Sequence, residues 1–222
     1  MFNSTTLHER EKQFDRFVRD GAHPCAMARA VMSNGSARFG IYGRLGTRAA
    51  ASAVCRDLVE SLAKPPAAGL PWSFVAFFED CAFGDERSFE NALWAQLQAM
   101  HDIDSMRFDW DASVNADPED PGFSFSIGGR AWYVIGLHPA SSRKARRFDG
   151  VALVFNPHVQ FEQLRAAGKY ETVKNRIRQR DVALQGTVNP MLADHGQSSE
   201  ARQYSGRALE AGWKCPFSPR TH

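Results

Sequence analysis

The stretch from residue 150 to 207 sets the tightest limits on what this chain can fold into. It runs GVALVFNPHVQFEQLRAAGKYETVKNRIRQRDVALQGTVNPMLADHGQSSEARQYSGR. An apolar run of strand length, residues 151–155, stops at Asn156-Pro157-His158. Two stretches of helical spacing follow, one marked by Phe161 and Leu164 and closed by Gly168, the other marked by Tyr170, Val173, Ile177 and Leu184. Beyond Gly186 the chain turns polar and irregular. Upstream, the strand-like runs 123–127 and 130–137 meet at Gly128-Gly129, a strong hairpin signal. A hairpin followed by a third strand and then helices predicts an α+β fold with a mainly antiparallel central sheet flanked by helices.

The N-terminal half supplies the remaining elements. Leu7, Phe14, Phe17 and Val18 share a face of a short helix that Asp20-Gly21 stops. His23-Pro24-Cys25 opens a second helix reaching about Met32, with Pro24 suited to its first turn. Residues 38–42 and 72–79 read as strands, which brings the sheet to about five. Between them Thr47 can cap a helix over 48–62. Phe89, Leu93, Leu97, Met100 and His101 predict a helix over 87–103, with Asp85 or Ser88 as its cap. Residues 109–122, with four aspartates and two prolines, form an acidic loop, and 140–148 a basic one.

At 222 residues, 43 % of them hydrophobic, the chain can bury one real core. No repeat or long linker divides it, so residues 1–222 are read as one domain, with 1–9 and 218–222 as flexible ends. The 27 basic and 25 acidic side chains leave a net charge of +2, which argues against nucleic acid or an anionic membrane as partner. The N-terminus lacks the apolar run of a secretory signal, and no window approaches the roughly 20 apolar residues of a membrane span. Cys25, Cys55, Cys81 and Cys215 show no paired spacing. A cytoplasmic, reduced protein is expected.

Several residue groups could carry chemistry. Cys25, at a helix start, meets free N–H groups and the positive dipole end, both of which favour a thiolate; a buried structural thiol is the alternative. His138 and His158 each end an apolar strand beside a proline. On neighbouring strands they could present two imidazoles at one sheet edge, to ligate a metal, steer oxygen or move a proton, or simply cap the strands. Asp181 falls on the apolar stripe of its helix, so it needs a cation: Arg178, Arg180 or a cationic substrate. Arg143, Lys144, Arg146 and Arg147 suit carboxylates or phosphates on a cofactor, or solvent. The tail from 189 to 207 adds Asp194, His195, Glu200 and Tyr204. Zinc, dinucleotide, P-loop and nucleophile-elbow motifs are absent.

The same residues resemble the YqcI/YcgG family. The likeness is densest in GGRAWYVIGLHPASSRKARRF, LVFNPHVQFEQLRAAGKY, IRQRDVALQGTVNPML and SEARQYSGR. It extends upstream through HPC and SFENALWAQLQAMHDID and downstream to WKCPF, over about residues 10 to 217. Characterised members are described as haem proteins that use dioxygen to hydroxylate a nitrogen of arginine or a related guanidino compound. The resemblance therefore implies a haem b-dependent N-oxygenase, with dioxygen and an external reductant as co-substrates and a small amine or guanidino substrate. An electron-rich axial thiolate favours O–O cleavage, so Cys25 is the first candidate for the iron ligand, with His158 or His138 as alternatives. The histidine that does not ligate would then lie near the distal pocket or a propionate, and His158, His138 and Asp181 are the catalytic candidates. Arg143, Arg146 and Arg147 are the candidates for the propionates, and Glu162, Asp181, Asp194 and Glu200 for a guanidinium.

Two other readings stand beside this one. A non-catalytic haem-binding or sensing protein would fill both axial positions with the strand-end histidines. A cofactor-free domain would use its arginine-rich loop to recognise anions. The electron donor is open, and a homodimer is a candidate assembly.

Overall fold

The structure is a computed structural model, and it describes residues 6–19, 23–66, 69–191 and 197–220. Its helices are α1 (Leu7–Arg19), α2 (Ala26–Ser33), α3 (Arg48–Ala63), α4 (Glu86–Asp104), α5 (Val159–Ala166), α6 (Tyr170–Gln185) and the single turn α7 (Ala201–Tyr204). Its strands are β1 (Ala37–Tyr42), β2 (Ser73–Phe78), β3 (Phe125–Ile127), β4 (Arg130–Leu137) and β5 (Val151–Pro157). Asp20-Gly21, expected to stop the first helix, lies outside the described residues.

The α+β reading and the five strands are observed, in the order β1-β2-β5-β4-β3. The sheet is mixed rather than wholly antiparallel. β2–β5, β5–β4 and β4–β3 are antiparallel, but β1 and β2 run parallel, with Phe39 beside Val75. The reason is the connection: α3 carries the chain back along the sheet between them, which is what a parallel pair requires. The β3–β4 hairpin turns at Gly128 and Gly129, whose φ values of 66° and 67° fit the two-residue turn with both central residues left-handed.

Local chemistry fixes the helix starts. Thr47 accepts the Ala50 N–H at 3.3 Å and Asp85 the Ser88 N–H at 2.7 Å. Asp85, not Ser88, is therefore the cap of α4. Pro24 does not occupy a first helical turn, because Cys25 is itself the cap of α2 and Pro24 precedes it.

Strand alternation divides the core into two layers. Phe74, Ala76, Phe78, Trp132, Val134, Leu153 and Phe155 face α3 and α4, meeting Val54, Leu58, Phe89, Leu93 and Leu97. Val75, Phe77, Ile135, Leu137, Ala152 and Val154 face the other way, where Phe14 and Val18 of α1 cover part of the surface. The rest of this second face is where the cavity lies. On the first face α4 approaches the sheet so closely that a Cβ at Gly136 would sit 2.7 Å from the Phe89 ring and 2.8 Å from Leu93. Gly136→Ala is expected to cost about 1–3 kcal/mol through overpacking, read as a lower urea midpoint at unchanged slope. No change would mean that α4 can shift outward freely.

Candidate functional site

A cavity of about 280 Å³, partly open to solvent, lies on the second face of the sheet. Its floor is Ser73 and Val75 of β2, Tyr133 and Ile135 of β4, and Val154 and Asn156 of β5. Helix α2 contributes Ala28, Val31 and Met32 to the walls, and α6 contributes Tyr170, Val173 and Ile177. The lining is largely apolar. The α6 stripe read as a core face thus borders the cavity, and Asp181 is the one buried residue of that helix.

Cys25 lines this cavity. It caps α2, and its Sγ accepts the Ala28 N–H at 3.4 Å. The helix start would favour a thiolate here, with a buried structural thiol as the other expectation. The structure shifts the balance, because burial pushes the thiol upward and outweighs the opposing Ala28 and Met27 N–H groups and the nearby Arg146. With nothing bound the sulfur is a thiol. His23, which sequence reasoning passed over as a site residue, stands beside it. Its Nδ1 accepts the Cys25 N–H at 3.3 Å, its ring also bonds the Ala145 backbone, and burial pulls it down to about 4. The Nδ1 bond thereby helps to fix the HPC segment.

The two strand-end histidines are not brought together. β4 and β5 are antiparallel, so their C-terminal ends lie at opposite ends of the sheet. The His158 N–H bonds Ala131 O at 2.8 Å, seven residues before His138. At about 3.4 Å per residue the separation is on the order of 20 Å. His138 also points to the other face, stacked on Phe89 at 4.1 Å, fully buried and away from the cavity. Neither of its ring nitrogens has a hydrogen-bond partner among the described residues, and burial pulls it down to about 4. His158 is buried near the cavity without lining it, its Nε2 3.5 Å from Glu200 Oε1.

The arginines are occupied within the chain. Arg143 Nη2 lies 2.5 Å from Asp181 Oδ2, and Arg143 Nη1 donates to Thr187 Oγ1 at 3.1 Å. Asp181 also accepts the Asn189 N–H at 2.9 Å. The partner of Asp181 is therefore Arg143, not Arg178 or Arg180. Arg146 lines the cavity while donating to the carbonyls of Gly136, Tyr204 and Gln203 at 3.2, 3.3 and 3.1 Å. Arg147 is exposed, does not line the cavity and holds Ser141 O and Ser142 O.

Of the expected substrate carboxylates, Asp181 and Glu200 line the cavity, and Asp181 is already paired. Glu162 is exposed, paired with Arg165, and does not line it. Asp194 and His195 lie outside the described residues. Tyr133 belongs to the site without having been singled out, its hydroxyl donating at 2.7 Å to Oε1 of Gln203, one of the polar residues of the tail from 189 to 207. Strand alternation was the signal for Tyr133, since it must face away from its buried neighbour Trp132.

No helix among the described residues is long and apolar enough to cross a membrane. No curated protein and no solved structure matches this chain. A sequence model of the YqcI/YcgG family matches residues 14–218, most of the chain, including every strand and the whole cavity lining. The protein belongs to the YqcI/YcgG family.

Proposed function

We propose that the cavity holds haem b with Cys25 as the axial donor, and that the protein is a haem-dependent N-oxygenase acting on a small amine or guanidino compound. One observation carries the reading: of the three residues considered for the iron, Cys25 alone lines the apolar cavity, at a helix N-terminus with Arg146 nearby. The donor chemistry suits the group, since a soft sulfur at a dipole's positive end is readily held as a metal-bound thiolate. The enclosed volume sits at the lower end of ligand pockets, about 300–1,000 Å³. Arg165 and Arg178 also line it, and would supply cations for the carboxylates of a tetrapyrrole.

When bound, haem supplies the iron at which dioxygen is activated, with electrons from an external reductant. The chain's own residues do the rest. Apolar side chains of α2 and α6 exclude water. Glu200 is the lining carboxylate with no arginine paired to it among the described residues, so it suits the ammonium or guanidinium end of a substrate. The YqcI/YcgG likeness supports the reaction class, and the geometry favours a catalyst over a six-coordinate sensor. His138 and His158 stand too far apart, on different sides of the sheet, to clamp one iron.

Adding haem to the purified protein is expected to give a stoichiometric Soret band, and the ferrous–CO form a band in the P450 region. Cys25→Ala is expected to abolish that band while His138→Leu leaves it in place. Absence of a Soret band at equimolar haem sinks the reading, and an unaltered thiolate spectrum in Cys25→Ala removes that residue.

A further inference from the structure

At the cavity that Cys25 also lines, one set of titratable side chains runs from the wall to solvent. Glu200 lines the cavity with its side chain 18 % exposed. His158 sits behind it, 7 % exposed, with Nε2 3.5 Å from Glu200 Oε1. On its other nitrogen, Nδ1 lies 3.9 Å from Oε1 of Glu162, whose side chain is 52 % exposed. Neither His158 nor Glu162 borders the cavity. The order is thus cavity, carboxylate, imidazole, carboxylate, solvent, with a different ring nitrogen turned to each acid.

The fold holds this order for local reasons. The His158 backbone is pinned by its N–H bond to Ala131 O, and α5 begins at the next residue. Glu162, four residues on, returns to the same side of the helix. Glu200 precedes α7 and is approached by the Tyr204 hydroxyl at 3.4 Å, itself 3.3 Å from Trp132 O and accepting the Phe125 N–H. Among the described residues the three are also met by the Phe161 ring, 6.4 Å from the imidazole, by Arg165 on Glu162, and by the Tyr133 phenol, whose proton burial and then Glu200 help retain. Arg165 holds the same Oε1 of Glu162 that faces the imidazole.

We propose that Glu162, His158 and Glu200 form a proton path between solvent and the cavity. Its use in catalysis rests on the oxygenase reading above, in which one oxygen atom of dioxygen leaves as water and must be supplied with protons from outside. Glu162, protonated by solvent, passes its proton to His158 Nδ1. The ring gives its Nε2 proton to Glu200 Oε1, and Glu200 delivers it to an acceptor in the cavity. No electrons move and the net charge of the triad is restored. The ring ends in the other tautomer, so tautomer change precedes the next transfer. Separations of 3.5 and 3.9 Å suit transfer that tightens on ligand binding or passes through a water. This assigns Glu162 a proton-carrying role in place of the guanidinium-binding one expected from sequence, and gives Glu200 proton delivery in addition to its place beside the cationic end of a substrate.

The path can be read without haem. In protein labelled with 15N-histidine, the His158 signals are identified by their loss in His158→Gln. Exchange of its ring N–H with water is expected to slow severalfold in Glu162→Gln and to recover in part in Glu162→Asp. Unchanged exchange in Glu162→Gln overturns the path. In the haem-loaded enzyme, Glu162→Gln is expected to lower kcat severalfold with KM and spectrum unchanged, and added imidazole buffer to restore it. Glu200→Gln is expected to lower kcat by about 10²-fold, the scale of a lost general acid. A kcat unmoved by Glu162→Gln also overturns the path. Failure to bind haem bears on the oxygenase reading alone, because the exchange rate is measured without it.

Discussion

Arg143→Ala is expected to lower the stability of the folded chain by about 3–5 kcal/mol, the cost of stranding a buried charge. Arg143 and Asp181 have side chains only 10 % and 6 % exposed, and their 2.5 Å contact joins the loop after β4 to α6. The same guanidinium reaches Thr187, and the same carboxylate accepts from Asn189, so the pair also holds the turn after α6. Truncating the arginine leaves a carboxylate without its cation in a largely apolar wall. Asp181→Ala should cost less, because Arg143 keeps the Thr187 hydroxyl and carbonyl. Replacing both, as Arg143→Met with Asp181→Leu, is expected to recover most of the loss, since a buried ion pair is often no better than an apolar pair of similar volume. Urea unfolding of the four proteins gives the cycle directly. Asp181 is the only buried residue of α6, so amide exchange in that helix should quicken before the sheet does. A loss below about 1 kcal/mol would mean that the pair behaves as a solvated one and that α6 is held by other contacts.

Much of this architecture is visible in the chain, and its failures have physical causes. Gly128-Gly129 announced a hairpin because few other residues adopt two successive left-handed conformations cheaply. Thr47 and Asp85 marked helix starts that their side-chain hydrogen bonds confirm. Asp181 was legible as a buried carboxylate from its spacing to Ile177, but its partner was not, because Arg143 lies 38 residues away and only the tertiary fold joins them. The pairing of His138 with His158 failed on information already present. Antiparallel neighbours end at opposite edges, and the alternation that buries Trp132 and Val134 puts residue 138 on their face. The Cys25 cap was readable, whereas its environment was not. A helix dipole acts locally, but the desolvation that lifts the thiol depends on walls built by residues from the whole chain. Glu162 and Glu200 were both noticed as carboxylates. That one faces solvent and the other the cavity, with an imidazole between, follows only from where α5 and α7 dock.

His138→Leu is expected to flatten the acid limb of the stability curve by about 3 kcal/mol and to leave stability at pH 7 equal or higher. His138 is fully buried, and burial pulls it from 6.5 to about 4. The unfolded chain then takes up a proton that the folded chain refuses, so this contribution is fully present above pH 6.5. It falls away as pH drops through 6.5 to about 4, at about 1.4 kcal/mol per unit. His23, pulled down to about 4 by burial, acts with the same sign over the same window. Asp104 acts against both. Burial pushes it up to about 6 despite the Gly128 N–H at 3.0 Å, so it favours the folded state at low pH and loses that contribution as pH rises from 3.8 through 6. Wild type alone would therefore show a shallow composite curve, and the variants separate the parts. His138→Leu minus wild type should isolate a loss confined to pH 4–6.5. Asp104→Asn minus wild type should show the opposite slope between 3.8 and 6. At neutral pH the leucine also removes two ring nitrogens that have no partner among the described residues, a cost of about 1–3 kcal/mol for a buried polar group. Urea midpoints at half-unit pH steps measure both effects. An acid limb equally steep in His138→Leu would show that the imidazole is protonated in the folded core and finds an acceptor there.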